Sequence, residues 1–154
     1  MSETPTVKPI AKPPYLYASF LAAGIILHFI MPLKIFGEFW IGLAIGLPLV
    51  ITGALLITWA VRTLLAAAVD PRFKPVETIV SGGPYGYTRN PMYLAFTFIC
   101  AGIALAVNSF LPFLFLPILL VLLHYGVIRR EERYLDQRFG EVYRAYRRNV
   151  GRWL

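Results

Sequence analysis

Four long apolar runs constrain this chain more than any other feature. A hydrocarbon layer of ~30 Å takes about 20 helical residues to cross, and with no water inside it every backbone N–H and C=O must pair within the protein. Residues 15–33 (YLYASFLAAGIILHFIMPL), 39–61 (FWIGLAIGLPLVITGALLITWAV), 92–107 and 110–128 have the composition for this, the third being short for a full crossing. Pro32 closes the first run, and Pro48 inside the second is expected to kink it. Only Asn108 and Ser109 separate the third and fourth, which makes them an antiparallel hairpin. The expectation is an all-α membrane protein of about four transmembrane helices.

Charge placement supports an even number of spans. Lys8 and Lys12 precede the first; Arg62, Arg72, Lys74 and Arg89 follow the second; eight arginines follow the fourth. The connection at 34–38 carries one lysine and one glutamate, and that at 108–110 carries no charge. Under the positive-inside rule both termini and the 62–91 segment face the cytoplasm. Topology and anionic headgroups then account for the net charge of +7 without nucleic acid. With 154 residues, 58% of them hydrophobic, the chain holds one membrane-embedded domain, 15–154. The polar tail before it, 1–14, lacks the apolar core and cleavage site of a signal peptide. Cys100 is the single cysteine, and the two histidines, His28 and His124, lie far apart in apolar sequence. That inventory offers no disulfide framework and no metal site, and each histidine reads as a polar group packed between helices.

Polar residues suited to chemistry collect in two blocks, 77–93 and 129–152, both on the expected cytoplasmic side. In the first, Gly82, Gly83 and Gly86 allow unusual backbone geometry and close approach of a ligand. Pro84 and Pro91 fix their own φ, and Pro91 suits the first turn of a helix. The segment reads as a rigid turn leading into the third span, with Tyr85, Tyr87 and Tyr93 around it. In the second block, Tyr134, Leu135, Phe139, Val142, Tyr143 and Tyr146 recur at three- and four-residue spacing. This marks a C-terminal amphipathic cytoplasmic helix, or two short ones broken near Gly140. Glu131 and Glu132 stand where the fourth span ends, among Arg129, Arg130 and Arg133. Two readings stay open for them: charge balance at an interface, or a carboxylate turned back into the bundle to meet a ligand.

Taken together, SGGPYGYTRNPMYLAF, an apolar hairpin and EERYLDQRFGEVYRAYRRNVGRW resemble the isoprenylcysteine carboxyl methyltransferase and phospholipid methyltransferase superfamily of integral membrane enzymes. The likeness covers about 77–152. It implies a methyltransferase that uses S-adenosyl-L-methionine, needs no metal, and acts on a lipophilic or amphiphilic acceptor at the cytoplasmic membrane face. By position, Tyr85, Asn90, Pro91, Met92 and Tyr93 would line the cofactor pocket. Glu77, Thr78, Ile79 and Val80 would cover it from a strand-like segment, and Glu131 with Glu132 would hold polar groups of the cofactor. Arg129 and Arg130 are candidates for contact with the acceptor. The chain departs from the pattern twice: Asn90 stands in place of a histidine, and Val127 in place of an arginine that holds an acceptor carboxylate. Both departures favour an amine or thiolate acceptor over a prenylcysteine carboxylate. Two other readings are a steroid-reductase-like membrane enzyme using a nicotinamide cofactor, and a non-enzymatic membrane protein with a tyrosine-rich interfacial turn.

Overall fold

A computed structural model describes residues 12–72 and 78–154, and among them every regular element is helical. Glu77 and the tail through residue 11 lie outside the described residues. Helix α1 (Pro13–Ile30) opens on two prolines, whose missing N–H groups cost nothing in a first turn. Helix α2 (Phe39–Ala66) runs five residues beyond the apolar stretch, and Pro48 leaves it continuous. A 3-10 turn (Gly83–Gly86) leads to α3 (Pro91–Ala106) and then α4 (Phe110–Leu123). A π-helical segment (His124–Ile128) joins α4 directly to α5 (Arg129–Phe139). Gly140, at φ +51°, breaks the chain before α6 (Glu141–Asn149), so the C-terminal amphipathic region is two short helices.

Among the described residues, three helices are long and apolar enough to cross a membrane: α1, α2 and the continuous Phe110–Phe139. At 16 residues α3 spans about 24 Å, in keeping with its short apolar run. It is nevertheless the centre of the bundle. Helix α2 packs along it, and α1 and α4 pack on each other and against its other side. The α2–α3 approach is close enough that a Cβ on Gly102 would lie 2.7 Å from the Gly46 carbonyl oxygen. Phe29, Ile30, Trp40 and Leu55 stay exposed on the outer faces of α1 and α2, as lipid contact requires.

The two ends of the bundle differ. At one, Asn108 in the α3–α4 turn accepts hydrogen bonds from the backbone N–H groups of Ile35 (3.0 Å) and Phe36 (2.8 Å), and donates to the Phe36 carbonyl (2.9 Å). This ties the two short connections together. At the other end lie the 3-10 turn, α5, α6 and nearly all the charge of the described residues. The hydrophobic core leans toward that polar end: Tyr17, Tyr93, Leu119, Leu123, Val127 and Ile128 form it, and Trp153 packs back onto it. Val127 is 1% exposed, so the position matched to the family's substrate-holding arginine is core here.

Candidate functional site

The glycine- and tyrosine-rich turn is held from both sides. Gly83, at φ +54°, takes a conformation costly for side-chain-bearing residues, and a Cβ there would also meet the Thr63 hydroxyl at 2.5 Å. That close contact seats the turn on the polar end of α2. From the other side the last residues of the chain form a strap. The Gly151 carbonyl accepts from the Arg89 N–H at 2.9 Å. The Arg152 carbonyl accepts from the Thr88 hydroxyl (3.1 Å) and the Asn90 side-chain amide (2.9 Å). The Tyr146 hydroxyl, on α6, donates to the Tyr85 carbonyl at 2.7 Å.

Inside this frame Pro91 starts α3 and Tyr93 follows on its inner face, 4% exposed. Its hydroxyl donates to Glu131, reaching both carboxylate oxygens at 2.9 and 3.0 Å. The Tyr17 hydroxyl, from α1, donates to the Tyr93 carbonyl at 3.0 Å and lies 2.9 Å from the Thr97 hydroxyl. Glu131 stands just past the apolar part of its helix and is half-buried. Loss of water pushes its carboxyl up to about 7; the Tyr93 hydrogen bond works against that rise and the Glu132 charge adds to it. Burial, with the charges of Tyr146 and Glu131 nearby, also raises the Tyr85 phenol.

Glu132 has the opposite surroundings. Arg89 reaches it at 2.9 Å, and Arg152 does so twice, at 2.8 and 2.7 Å. Arg89 also donates to the Tyr143 hydroxyl at 3.1 Å. Burial alone would raise the Glu132 carboxyl, but the hydrogen bonds from Arg152 and the charges of Arg89, Arg152 and Arg147 outweigh it and hold it below the ordinary value. Two adjacent carboxylates are thus driven apart in acidity, a pattern associated with functional sites.

Of the expected pocket residues, Tyr85, Tyr93 and Glu131 come together. Pro91 is buried and Met92 half-buried at the start of α3. Asn90 is tied to the strap through its amide, and Glu132 is committed to two arginines. Thr78 is exposed, Ile79 and Val80 are half-buried, and none of the three is in a helix or strand. Glu77 lies outside the described residues. Arg129 and Arg130 are exposed, with the Arg129 guanidinium 5.5 Å from the centre of the Tyr125 ring. Sequence reasoning missed the clamp of Arg89 and Arg152 on Glu132. Arg89 beside Asn90-Pro91 was a faint signal, and Arg152 gave none beyond its charge.

The chain is 36% identical over 63 residues to a protein of Haemophilus influenzae whose function is uncharacterised; the match takes in 41% of this chain and 100% of that one. No solved structure matches it. Residues 41–142 match the phospholipid methyltransferase family, within the isoprenylcysteine carboxyl methyltransferase-like superfamily. That match begins in α2, well before the motifs at 82–93, and stops before Tyr143 and the strap. With well over half of its length matched, the chain belongs to the phospholipid methyltransferase family.

Proposed function

We propose that this protein is an S-adenosylmethionine-dependent membrane methyltransferase whose cofactor is held at the arginine-rich end of the bundle by Tyr85, Tyr93 and Glu131. One observation carries the reading: Glu131 gives up water for a tyrosine hydroxyl and no cationic side chain approaches it among the described residues. A buried carboxylate without a counter-charge is costly, and a ligand bearing cations and hydroxyl donors relieves that cost. The adenosyl cofactor has an amino group, a sulfonium and ribose hydroxyls, so the donor set fits. When bound it supplies an activated methyl group.

The chain's own residues orient and exclude. Glu131 accepts hydrogen bonds from ligand hydroxyls or an ammonium, and the Tyr85 and Tyr93 rings favour a nearby cation. Methyl transfer from sulfur is an in-line displacement, so alignment of the two reactants is the main task of the site. The acceptor is an amphiphile with an available nucleophile, an amine or a thiolate. Asn90 cannot act as a general base, and Val127 offers no charge to an acceptor carboxylate. The basic end faces the cytoplasm in this reading.

Titration calorimetry on the purified protein is the test. S-adenosylhomocysteine is expected to bind, and Glu131→Ala to weaken it by roughly 1–3 kcal/mol, the scale for hydrogen bonds to a charged group. Binding of reduced nicotinamide nucleotide with no binding of S-adenosylhomocysteine would make the protein a reductase and overturn the reading. Transfer of radiolabelled methyl groups, compared across amphiphilic amines, thiols and prenylcysteine carboxylates, then tests the acceptor class.

A further inference from the structure

Helices α5 and α6 border an open cavity of about 570 Å3 whose wall contains Arg129, Arg133, Arg147 and Arg152. Two carboxylates, Glu132 and Asp136, also line it, and both are already neutralised. Glu132 pairs with Arg89 and Arg152, and Asp136 pairs with Arg144 at 3.0 Å. Arg129, Arg133 and Arg147 form no ion pair with any described residue. Three of the four lining arginines are therefore left without an ion-pair partner among the described residues, and each of the three is exposed.

Position narrows the occupant. Tyr125, Arg129, Arg133 and Asp136 fall on one face of a continuous helix, so the cavity lies where the apolar residues of that helix give way to charged ones. Tyr125 is 59% exposed at its rim, with the Arg129 guanidinium over the ring. A tyrosine and an arginine at the end of an apolar run mark the headgroup level of a bilayer. Glu131 is not part of the lining; it turns instead toward Tyr93, on another face of α5.

We propose that this cavity binds the phosphate of an anionic lipid headgroup drawn from the adjoining leaflet, at a site separate from the methyl-transfer pocket. Arginine forks match phosphate oxygens in pairs of parallel hydrogen bonds, and three arginines without an ion-pair partner around one opening suit a single phosphodiester. The volume falls in the ordinary range for a small-molecule site and admits the phosphate with its polar substituent. The proposal does not depend on the methyltransferase reading.

Full-length protein in a non-ionic detergent, titrated with short-chain phosphatidylglycerol and separately with inorganic phosphate, tests this. Phosphatidylglycerol is expected to bind, and Arg133→Gln with Arg147→Gln to weaken it by about tenfold or more. Arg138→Gln, on the same helix but outside the cavity, is expected to change it by less than about twofold. All three arginines are solvent-exposed, and an unchanged melting temperature confirms that the variants fold. Arg147→Lys, which keeps the charge and loses the fork, should give an intermediate loss. Binding of S-adenosylhomocysteine should survive in the double variant, which separates failure here from failure of the proposed function. Phosphatidylglycerol affinity unaltered in the double variant, or weakened equally by Arg138→Gln, overturns the site. Inorganic phosphate binding as tightly as the lipid overturns the lipid source, because a soluble phosphate ester would then be the occupant.

Discussion

A carboxylate that leaves water for a tyrosine hydroxyl destabilises the folded state whenever it must be ionised, and Glu131 is placed in that way. Below its ordinary pKa of 4.5 it is protonated both folded and unfolded, and contributes nothing. Above 4.5 the unfolded chain ionises first, so stability falls as pH rises until the folded carboxyl also ionises near 7. Glu131→Gln should therefore stabilise the apoprotein at about pH 8, by on the order of 2–3 kcal/mol, and flatten the slope between the two values. Denaturation in detergent across that range is the measurement, and an unchanged slope would remove Glu131 as its source. Glu132 acts with the opposite sign. Its lowered pKa contributes stability above the ordinary carboxylate value that is lost as pH falls through the folded one. Glu132→Gln leaves Arg89 and Arg152 facing each other at the foot of the strap, and should destabilise by roughly 3 kcal/mol. A melting temperature equal to that of the unaltered protein would make the clamp incidental.

At the scale of the elements, what is legible in the sequence follows from periodicity, and what is not follows from the backbone. The apolar runs locate α1, α3 and the α3–α4 hairpin closely, and Gly140 marks the break between α5 and α6. The proximity of Tyr85, Tyr93 and Glu131 was expected from the likeness to a family, which names them together. The π-helical segment was not, because one extra residue per turn shifts the register of α5 without altering composition. That register places Val127 in the core and sends Glu131 and Glu132 to different partners. The strap was equally hidden. Its hold on the 88–90 turn runs through the carbonyls of Gly151 and Arg152, which any residue possesses. Removing residues 150–154 should therefore free the Arg89 amide, and its hydrogen exchange should quicken by about tenfold or more while the centre of α3 keeps its protection. Equal protection of Arg89 in both forms would mean that the strap does not hold the turn.

For the whole molecule, the pairing of its connections fixes which charges share an end. The α1–α2 connection and the α3–α4 turn meet through Asn108 and through the Phe110 N–H, which donates to the Leu33 carbonyl at 2.9 Å. Among the described residues, the cations outside that connection gather at the opposite end: Lys12, Arg62, Arg89 and the eight arginines of 129–154. A bilayer reads such an asymmetry, because lysine and arginine near short loops resist translocation. The arginine-rich end, with Glu131 and the arginine cavity, is accordingly expected in the cytoplasm. Single cysteines at two exposed positions test this in a Cys100→Ala background: Asn149→Cys at one end and Gly37→Cys, which has open space around it, at the other. A membrane-impermeant maleimide should label the cysteine at 37 in intact cells and reach the one at 149 only after permeabilisation. The reverse pattern would turn the molecule over in the membrane and place the proposed methyl-transfer site on the opposite face.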